Sequence, residues 1–284
     1  MYASVVLLVR YGEIALKSRF VRRQLEDLLA SNIRDLFAAN ALECIVRAER
    51  GRVFVHVDDE PAALRLLRRV FGIVSISPAK EFPSDLEGLT AAVVAYARGL
   101  LASGRSFAIR ARRSGEHSYT SQELARVLGR AVQDAITGLA VDLDEPDVEL
   151  FVEVRGPKAY VFCKIVPGTG GLPLGSQGTV LAAVEDEEGL VAAWLAMRRG
   201  CRAIVAGRDG LVETLRRWDP KLVAVEPRPT PELLALAAEK GLGGVVVPAW
   251  EQAGSGGGGP MLLRPLIGMT EDEIRTLSQI IGEA

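Results

Sequence analysis

The chain has 284 residues, of which 49% are hydrophobic and 25% are charged, as in ordinary globular proteins. No apolar run approaches the roughly 18 residues that a membrane-spanning helix needs, and the run Val5–Val9 is too short for a signal peptide. Three widely spaced cysteines and two histidines argue against a disulfide scaffold and a metal cluster. We therefore expect a cytosolic protein of two or three domains with no metal site and no membrane contact.

The net charge of -2 conceals an uneven distribution. The net charge is +4 over residues 1–80, −2 over residues 81–167 and −4 over residues 168–284, and arginine outnumbers lysine by 28 to 6. An early excess of arginine is compatible with a phosphate-binding face but does not require one.

The first 80 residues have the periodicity of a small α+β domain. Their order of elements, βαββαβ, is that of the ferredoxin-like fold. Strands are predicted at Val5–Val9, Cys44–Val46, Val53–Val57 and Ile73–Ile76, the last ended by Pro78, and helices at Arg19–Ala39 and Ala62–Val70.

Residues 81–167 form a second predicted unit, and residues 168–179, rich in glycine and proline, read as a linker. In the second unit a polar turn, Arg112–Thr120, precedes its second helix. The predicted helices are Leu89–Leu101 and Ser121–Ile136, and the predicted strands are Phe107–Ala111, Val148–Val154 and Ala159–Ile165.

Residues 180–284 alternate short apolar runs with helical segments, which predicts a parallel, doubly wound sheet. Gly254–Gly259 is a low-complexity break, and Thr270 is the expected N-cap of the last helix, Glu271–Ile281. The predicted fold class is therefore α/β with an α+β N-terminal half. The strands are expected at Val180–Val184, Ala203–Ala206, Leu222–Val225 and Val245–Val247, and the helices between them at Leu190–Arg199, Gly210–Arg217 and Pro231–Lys240.

Two clusters of basic residues are candidates for phosphate contacts. Basic residues at the start of the first helix oppose its macrodipole, so a functional use is as plausible as a solvated face. This first cluster comprises Lys17, Arg19, Arg22 and Arg23. The second comprises Arg110, Arg112 and Arg113, followed by His117, Tyr119 and Ser121. The two rings could stack on a base, whereas the alternative is a polar loop in which Ser121 caps a helix.

Five separated segments resemble the tRNA 4-thiouridine synthetase (tRNA sulfurtransferase) family, in order and over nearly the whole chain. They are RYGEIALK, FAIRARRSGEHSYTSQELARVLG, GGLPLGSQGTVL, LAMRRGC and LRPLIGMTEDEI. The resemblance implies a ferredoxin-like domain (1–80), a THUMP RNA-binding domain (81–167, its profile beginning as early as residue 61), a linker (168–179) and a PP-loop ATPase-like domain (180–284). In that family the first two domains grip the tRNA acceptor end, and the third adenylates a uridine with ATP and magnesium.

The RNA-contacting residues carry over from the family pattern more fully than the catalytic ones. Matches to the THUMP pattern are Arg110, Arg112, Arg113, Ser121 and the Gly170-Gly171 turn. Further candidates for RNA contact are Lys158, Lys164, His117 and the cluster from Lys17 to Arg23.

The nucleotide loop departs from the family pattern. Where the family has Ser-Gly-Gly-x-Asp-Ser, this chain has Glu185, Asp186, Glu187, Glu188 and Gly189 after Val184. Each carboxylate about 4 Å from a phosphate charge would cost ~4 kcal/mol at an effective dielectric constant near 20. We interpret the segment as an acidic helix start and a vestigial nucleotide loop that binds no ATP or magnesium.

No catalytic residue is expected. The family's persulfide cysteine follows the segment that matches Ile281-Gly282, and the sequence given ends at Ala284. None of Cys44, Cys163 and Cys201 has a neighbouring basic pair that would mark a reactive thiolate.

Three hypotheses follow from these residues and the resemblance. The first is a tRNA-binding protein without autonomous adenylation or sulfur transfer. The second is a thiolation enzyme completed by a partner chain, and the third is a homodimeric scaffold that recruits a modifying enzyme.

Overall fold

The structure is a computed structural model that describes residues 5–49, 51–248 and 259–283. The chain forms two compact units: the described parts of residues 1–8 and 77–166, and those of residues 9–76 and 167–284. The domain boundaries expected from the sequence remain a prediction. Within the three described ranges, no helix has both the length and the apolar character needed to cross a bilayer.

The N-terminal segment has the predicted βαββαβ order. Its elements are β1 (Val5–Tyr11), α1 (Arg19–Ala39), β2 (Ile45–Glu49), β3 (Arg52–Val57), α2 (Glu60–Leu67) and β4 (Ile73–Pro83), with a 3₁₀ turn at Glu13–Leu16. The strands are neighbours in the order β2-β3-β1-β4. Helix α1 buries Leu29, Ile33 and Phe37, which recur at the helical spacing. The predicted α1 is confirmed at both ends.

The unit that contains residues 77–166 packs two helices on a sheet. Its elements are α3 (Leu86–Arg98), β5 (Ser106–Ser114), α4 (Ser121–Ala135), β6 (Ala140–Val141), β7 (Val148–Arg155) and β8 (Lys158–Phe162), followed by β9 (Val166–Pro167). The strand order is β4-β8-β7-β5-β6, with β5 and β7 parallel and β7 and β8 antiparallel. Apolar side chains of α3 and α4 form the core with Phe107 and Leu150.

Two strands in this region are longer than predicted. Strand β4 does not end at Pro78 but continues to Pro83, because it pairs with β8 from Lys80 onward. Strand β5 does not end at Ala111, because its parallel pairing with β7 continues to Ser114. Arg112 and Arg113 therefore lie in a strand rather than in the predicted polar turn.

The C-terminal part is a parallel sheet covered by helices, as predicted. Its strands, β10 (Thr179–Val184), β11 (Arg202–Gly207), β12 (Val223–Val225), β13 (Gly244–Val246) and β14 (Met261–Leu263), have the order β12-β11-β10-β13-β14, with parallel neighbours. Its helices are α5 (Glu187–Arg198), α6 (Asp209–Arg216), α7 (Thr230–Glu239) and α8 (Glu271–Glu283). Thr270 caps α8 as expected. Strand β14 was not predicted, and residues 254–258 of the predicted break lie outside the described residues.

The glycine-rich segment predicted as a linker is packed against the parallel-sheet part. Leu172 N donates to Arg198 O over 3.0 Å, and Gly175 N donates to Gly200 O over 2.8 Å. Gly171 has a φ of +80°, and a Cβ there would lie 2.1 Å from Arg198 O. A glycine is therefore required for this close approach.

Candidate nucleic-acid interface

A groove of about 440 Å³ runs along β5 beside the start of α4. Its lining includes Arg110 and Arg112 of β5, Ser121 and Gln122 of α4, and Glu149 of β7. Strand β6 pairs with Ser106 and Phe107, and past that point no described strand covers this edge of β5. Uncovered backbone groups of an edge strand remain available to a ligand. The structure thus brings together three of the residues predicted to contact RNA.

The start of α4 forms one side of the groove. Thr120, not Ser121, is the N-cap: its hydroxyl accepts from Glu123 N over 3.1 Å, while Glu123 Oε2 accepts from Thr120 N over 2.7 Å. These hydrogen bonds lower the pKa of Glu123, so that carboxylate stays ionised in the cap. The alternative in which Ser121 caps the helix is therefore wrong. Ser121, at the first helical position, lines the groove instead.

The three arginines of β5 differ in how far they are already engaged. Arg110 Nε lies 2.7 Å from Glu149 Oε1, and its NH2 donates to Leu143 O over 2.8 Å. Arg113 NH1 donates to Gly115 O over 3.1 Å. Arg112 is exposed, and its guanidinium has neither a hydrogen bond nor an ion pair with any residue that the structure describes. Arg112 is thus the most available cation of the groove.

His117 and Tyr119 stack on each other. Their ring centroids are 5.6 Å apart with an interplanar angle of 20°. The Tyr119 hydroxyl donates to Ser84 O over 2.9 Å, and burial raises the pKa of this phenol. Stacking of these rings on an RNA base stays a prediction, and Tyr119 already has a partner on one face.

Lysines predicted to contact RNA lie outside the groove lining. Lys158 Nζ is 2.7 Å from Glu81 Oε1, so its charge is partly neutralised. Lys164 is exposed after β8, and no ion pair of this side chain is found among the described residues. Their contact with RNA stays a prediction.

The first basic cluster surrounds the start of α1, whose N-cap is Ser18. Lys17, Arg19 and Arg23 are exposed, whereas Arg22 is half-buried. Tyr11, in the segment RYGEIALK, donates its hydroxyl to Glu26 of α1. Burial, together with this hydrogen bond, raises the pKa of Tyr11, so the phenol stays protonated. Part of this segment therefore has a structural role that the sequence did not reveal.

The acidic segment after β10 forms the start of α5, which begins three residues before the predicted Leu190. Asp186 is the N-cap, and its Oδ1 accepts from Gly189 N over 2.8 Å. A Cβ on Gly189 would lie 2.7 Å from Ala183 O and 3.0 Å from the Cα of Val184. Glu187 and Glu188 occupy the first turn, where negative charge favours the macrodipole. The interpretation as an acidic helix start is confirmed.

All three cysteines are free thiols that are partly buried. Burial raises the pKa of the Cys44 thiol, against the opposing charge of Arg34, and burial also raises the pKa of Cys201. Cys163 Sγ accepts from the Tyr96 hydroxyl at 3.6 Å. Across the ranges that the structure describes, no three His, Cys, Asp or Glu residues are grouped so as to hold a metal ion.

Comparisons with known proteins agree with this geometry. The ThiI ferredoxin-like domain model matches residues 6–77, and the THUMP domain model matches residues 83–164. The chain belongs to the THUMP-containing tRNA sulfurtransferase family. This confirms the resemblance. The groove lies in the THUMP domain, because β5, α4 and β7 are all within the matched residues 83–164.

Curated relatives of the family are longer than this chain. A probable tRNA sulfurtransferase of Methanothermobacter thermautotrophicus is 40% identical over 210 residues, covering 72% of this chain and 52% of that protein. One from Methanosarcina acetivorans is 43% identical over 201 residues, covering 69% and 48%. The chain thus spans about half the length of the curated relatives it matches.

Two solved structures share the fold. PH1313 from Pyrococcus horikoshii has a TM-score of 0.82 and 28% identity, and the match covers 98% of this chain and 99% of that one. A 4-thiouridine synthetase, solved as an RNA complex with bound ATP, has a TM-score of 0.77 and 23% identity, covering 98% and 85%. The second match, at this identity, supports the fold alone.

Gln122, Ala125 and Glu149 line the THUMP groove but were not predicted as site residues. Their types carry no signal for RNA binding in the sequence. Gln122 and Ala125 reach the groove because α4 begins beside the open edge of β5. Glu149 reaches it because it lies two residues before Phe151, the β7 register partner of Arg110. The one signal that includes them is the THUMP domain match, which covers residues 83–164.

Proposed function

We propose that this chain binds the acceptor region of tRNA through its THUMP groove and does not adenylate or thiolate tRNA on its own. The observation that carries the binding proposal is Arg112, an exposed guanidinium without a partner among the described residues, beside an open strand edge and a helix N-terminus. Arginine forks and backbone N–H groups are the donors that phosphate oxygens accept from. Duplex RNA is recognised mainly by shape and backbone, so sequence specificity should be weak.

Replacing Arg112 by alanine is expected to raise the Kd for a tRNA transcript roughly tenfold at moderate salt. A hydrogen bond between charged groups contributes about 1.5 kcal/mol or more. Each lost phosphate contact also makes the negative slope of log K against log salt shallower by about 1. Filter binding across a salt series measures both quantities.

Arg130→Ala is the matched control, because it removes the same charge from α4 outside the groove. An acceptor-stem minihelix should bind as the whole tRNA does, and an anticodon stem-loop should bind more weakly. Equal Kd values and salt slopes for the two variants would contradict the role of Arg112. Equal affinity of the wild-type chain for tRNA and duplex DNA would contradict tRNA binding itself.

The start of α5 supports the second half of the proposal. A nucleotide loop offers free backbone N–H groups to phosphate oxygens, whereas here the Asp186 carboxylate already accepts from Gly189 N. Glu185, Glu187 and Glu188 add like charge beside any phosphate. The residues present therefore do not fit the phosphates of ATP at this end of the sheet.

We expect the purified chain, mixed with tRNA, ATP and magnesium, to release no pyrophosphate above a protein-free control. Adenylation of a uridine breaks the bond between the α- and β-phosphates, so each adenylated tRNA releases one pyrophosphate. An enzymatic pyrophosphate assay measures this directly. Pyrophosphate release that depends on tRNA would contradict the proposal.

A second candidate function is favoured by the intact parallel sheet. Its strand order changes direction between β10 and β13, the position at which such sheets bind ligands. A thiolation enzyme completed by a partner would retain this sheet. Deleting the gene should then remove 4-thiouridine from cellular tRNA, even though the purified chain alone releases no pyrophosphate. An unchanged 4-thiouridine content would exclude this function.

A further inference from the structure

A second cavity lies far from the acidic helix start, within the unit that holds residues 9–76 and 167–284. Its volume is about 890 Å³. We call it the arginine cavity, since its lining includes Arg65, Arg68 and Arg69 from the end of α2 and Arg198 at the end of α5. Helix α5 has 12 residues, so its two ends are about 17 Å apart. The arginine cavity is thus distinct from the vestigial nucleotide loop.

The charge of this lining is strongly positive. Its two carboxylates are those of Asp59 and Glu283, and Asp59 already caps α2 by accepting from Ala62 N over 2.9 Å. The guanidinium of Arg198 lies 5.7 Å from the centroid of the Trp194 ring. None of the four arginines forms a salt bridge with a described residue.

Among the four arginines, Arg69 combines partial burial with like charges around it and has no salt-bridge partner among the described residues. It is half-buried, and the positive charges of Arg217 and Arg65 act on it. Burial, reinforced by these like charges, lowers the pKa of Arg69, although an arginine stays protonated at neutral pH. A charge that is taken out of water without a counterion is unfavourable. The four arginines therefore concentrate positive charge in the cavity lining with no salt-bridge partner among the described residues, and a bound anion would neutralise it.

An unsatisfied donor lies in the same wall. Trp194 is 3% exposed, and its Nε1 is a buried donor with no acceptor among the described residues. Its neighbour Trp218, by contrast, donates Nε1–H to Ile281 O over 3.2 Å. Buried polar groups in proteins are nearly always hydrogen-bonded, so the unpaired Trp194 N–H makes this wall unusual.

We propose that the arginine cavity binds a small organic phosphate of nucleotide size. The arginine guanidinium groups suit phosphate oxygens. Leu42, Leu277 and Ile280 supply apolar wall for an organic part. The volume lies in the range of small-molecule sites.

Calorimetry in the absence of magnesium, with AMP, ATP and inorganic pyrophosphate as separate probes, tests the proposal. The wild-type chain should bind a nucleotide more tightly than pyrophosphate, and Arg69→Gln should weaken that binding at least tenfold. The control is Arg275→Gln, which removes an exposed arginine paired with Asp272 on α8, outside the cavity lining. It should bind as the wild type does.

Thermal unfolding separates a ligand-binding role of Arg69 from a structural one. Without ligand, the R69Q variant should melt no lower than the wild type, because it loses an uncompensated charge. With a saturating nucleotide, the melting temperature should rise for the wild type but not for R69Q. A lower melting temperature of ligand-free R69Q together with unchanged nucleotide affinity would overturn the proposal.

Three further outcomes would also overturn it. They are the absence of heat with all three probes, equal affinity for pyrophosphate and nucleotides, and displacement of the bound nucleotide by tRNA. The last would identify the anion as an RNA phosphate. The calorimetric and melting measurements with nucleotides alone do not involve Arg112, so they test the arginine cavity independently of tRNA binding by the THUMP groove.

Discussion

Replacing Phe71 by alanine should lower the free energy of unfolding by about 3–5 kcal/mol, the usual cost of deleting a large buried aromatic side chain. Phe71 is 1% exposed, and its ring centroid lies 5.6 Å from that of Trp194 and 5.4 Å from that of Trp218. The variant would leave a cavity between these rings. Urea denaturation followed by tryptophan fluorescence measures the change, because both indoles lie in the affected core.

The control for this prediction is Phe20→Ala. Phe20 is 73% exposed, so its removal should change the free energy of unfolding by no more than about 0.5 kcal/mol. A similar loss in the two variants would show that Phe71 does not contribute through burial. Phe71 precedes β4, whereas Trp194 and Trp218 belong to the parallel-sheet part. The loss of stability in the Phe71 variant therefore reports how much the packing between these two segments contributes to folding.

The second large effect is expected for Asp219→Ala. Asp219 is 3% exposed, and its Oδ1 and Oδ2 lie 2.8 and 2.7 Å from Arg202 NH1. Lys221 N also donates to Oδ1, over 3.0 Å. Removing one partner of a fully buried ion pair costs about 3–5 kcal/mol, and because the Arg202 side chain is 28% exposed we expect a loss at the lower end of that range. The same denaturation experiment measures it.

Asp134→Ala is the matched control for Asp219. Arg130 and Asp134 form an ion pair on α4 with side chains 80% and 65% exposed, and such surface pairs contribute about 0–1 kcal/mol. If Asp219→Ala were no more destabilising than Asp134→Ala, the pair with Arg202 would be unimportant for folding.

The Arg202–Asp219 pair also joins segments that are distant in sequence. Arg202 NH2 donates to Asn32 Oδ1 over 3.3 Å, and Asn32 Nδ2 donates to Leu174 O over 3.0 Å. Asn32 is a buried polar residue on the apolar side of α1, where periodicity alone predicts a hydrophobic residue. Its partners lie more than 140 residues away, and no local pattern could have identified them.

Local patterns did predict the elements themselves. The limits of α1, the four parallel strands β10–β13 and the acidic start of α5 followed from spacing, β-branched runs and capping residues, because these depend on interactions within a few residues. The resemblance, by contrast, rested on motifs rather than on periodicity. The family models confirmed it over the first two domains.

Tertiary structure decided which residues form sites. Arg112 lies in β5 because β7 pairs alongside it, and it is available because β6 stops at the position of Phe107. The arginine cavity joins the end of α2 to the end of α5, and the sequence pattern of neither helix refers to the other. Hydrogen bonds within a helix join residues that are close in sequence, so local patterns predict them. Strand partners, sheet edges and cavities depend on contacts between residues that are distant in sequence, and no local pattern predicts those contacts.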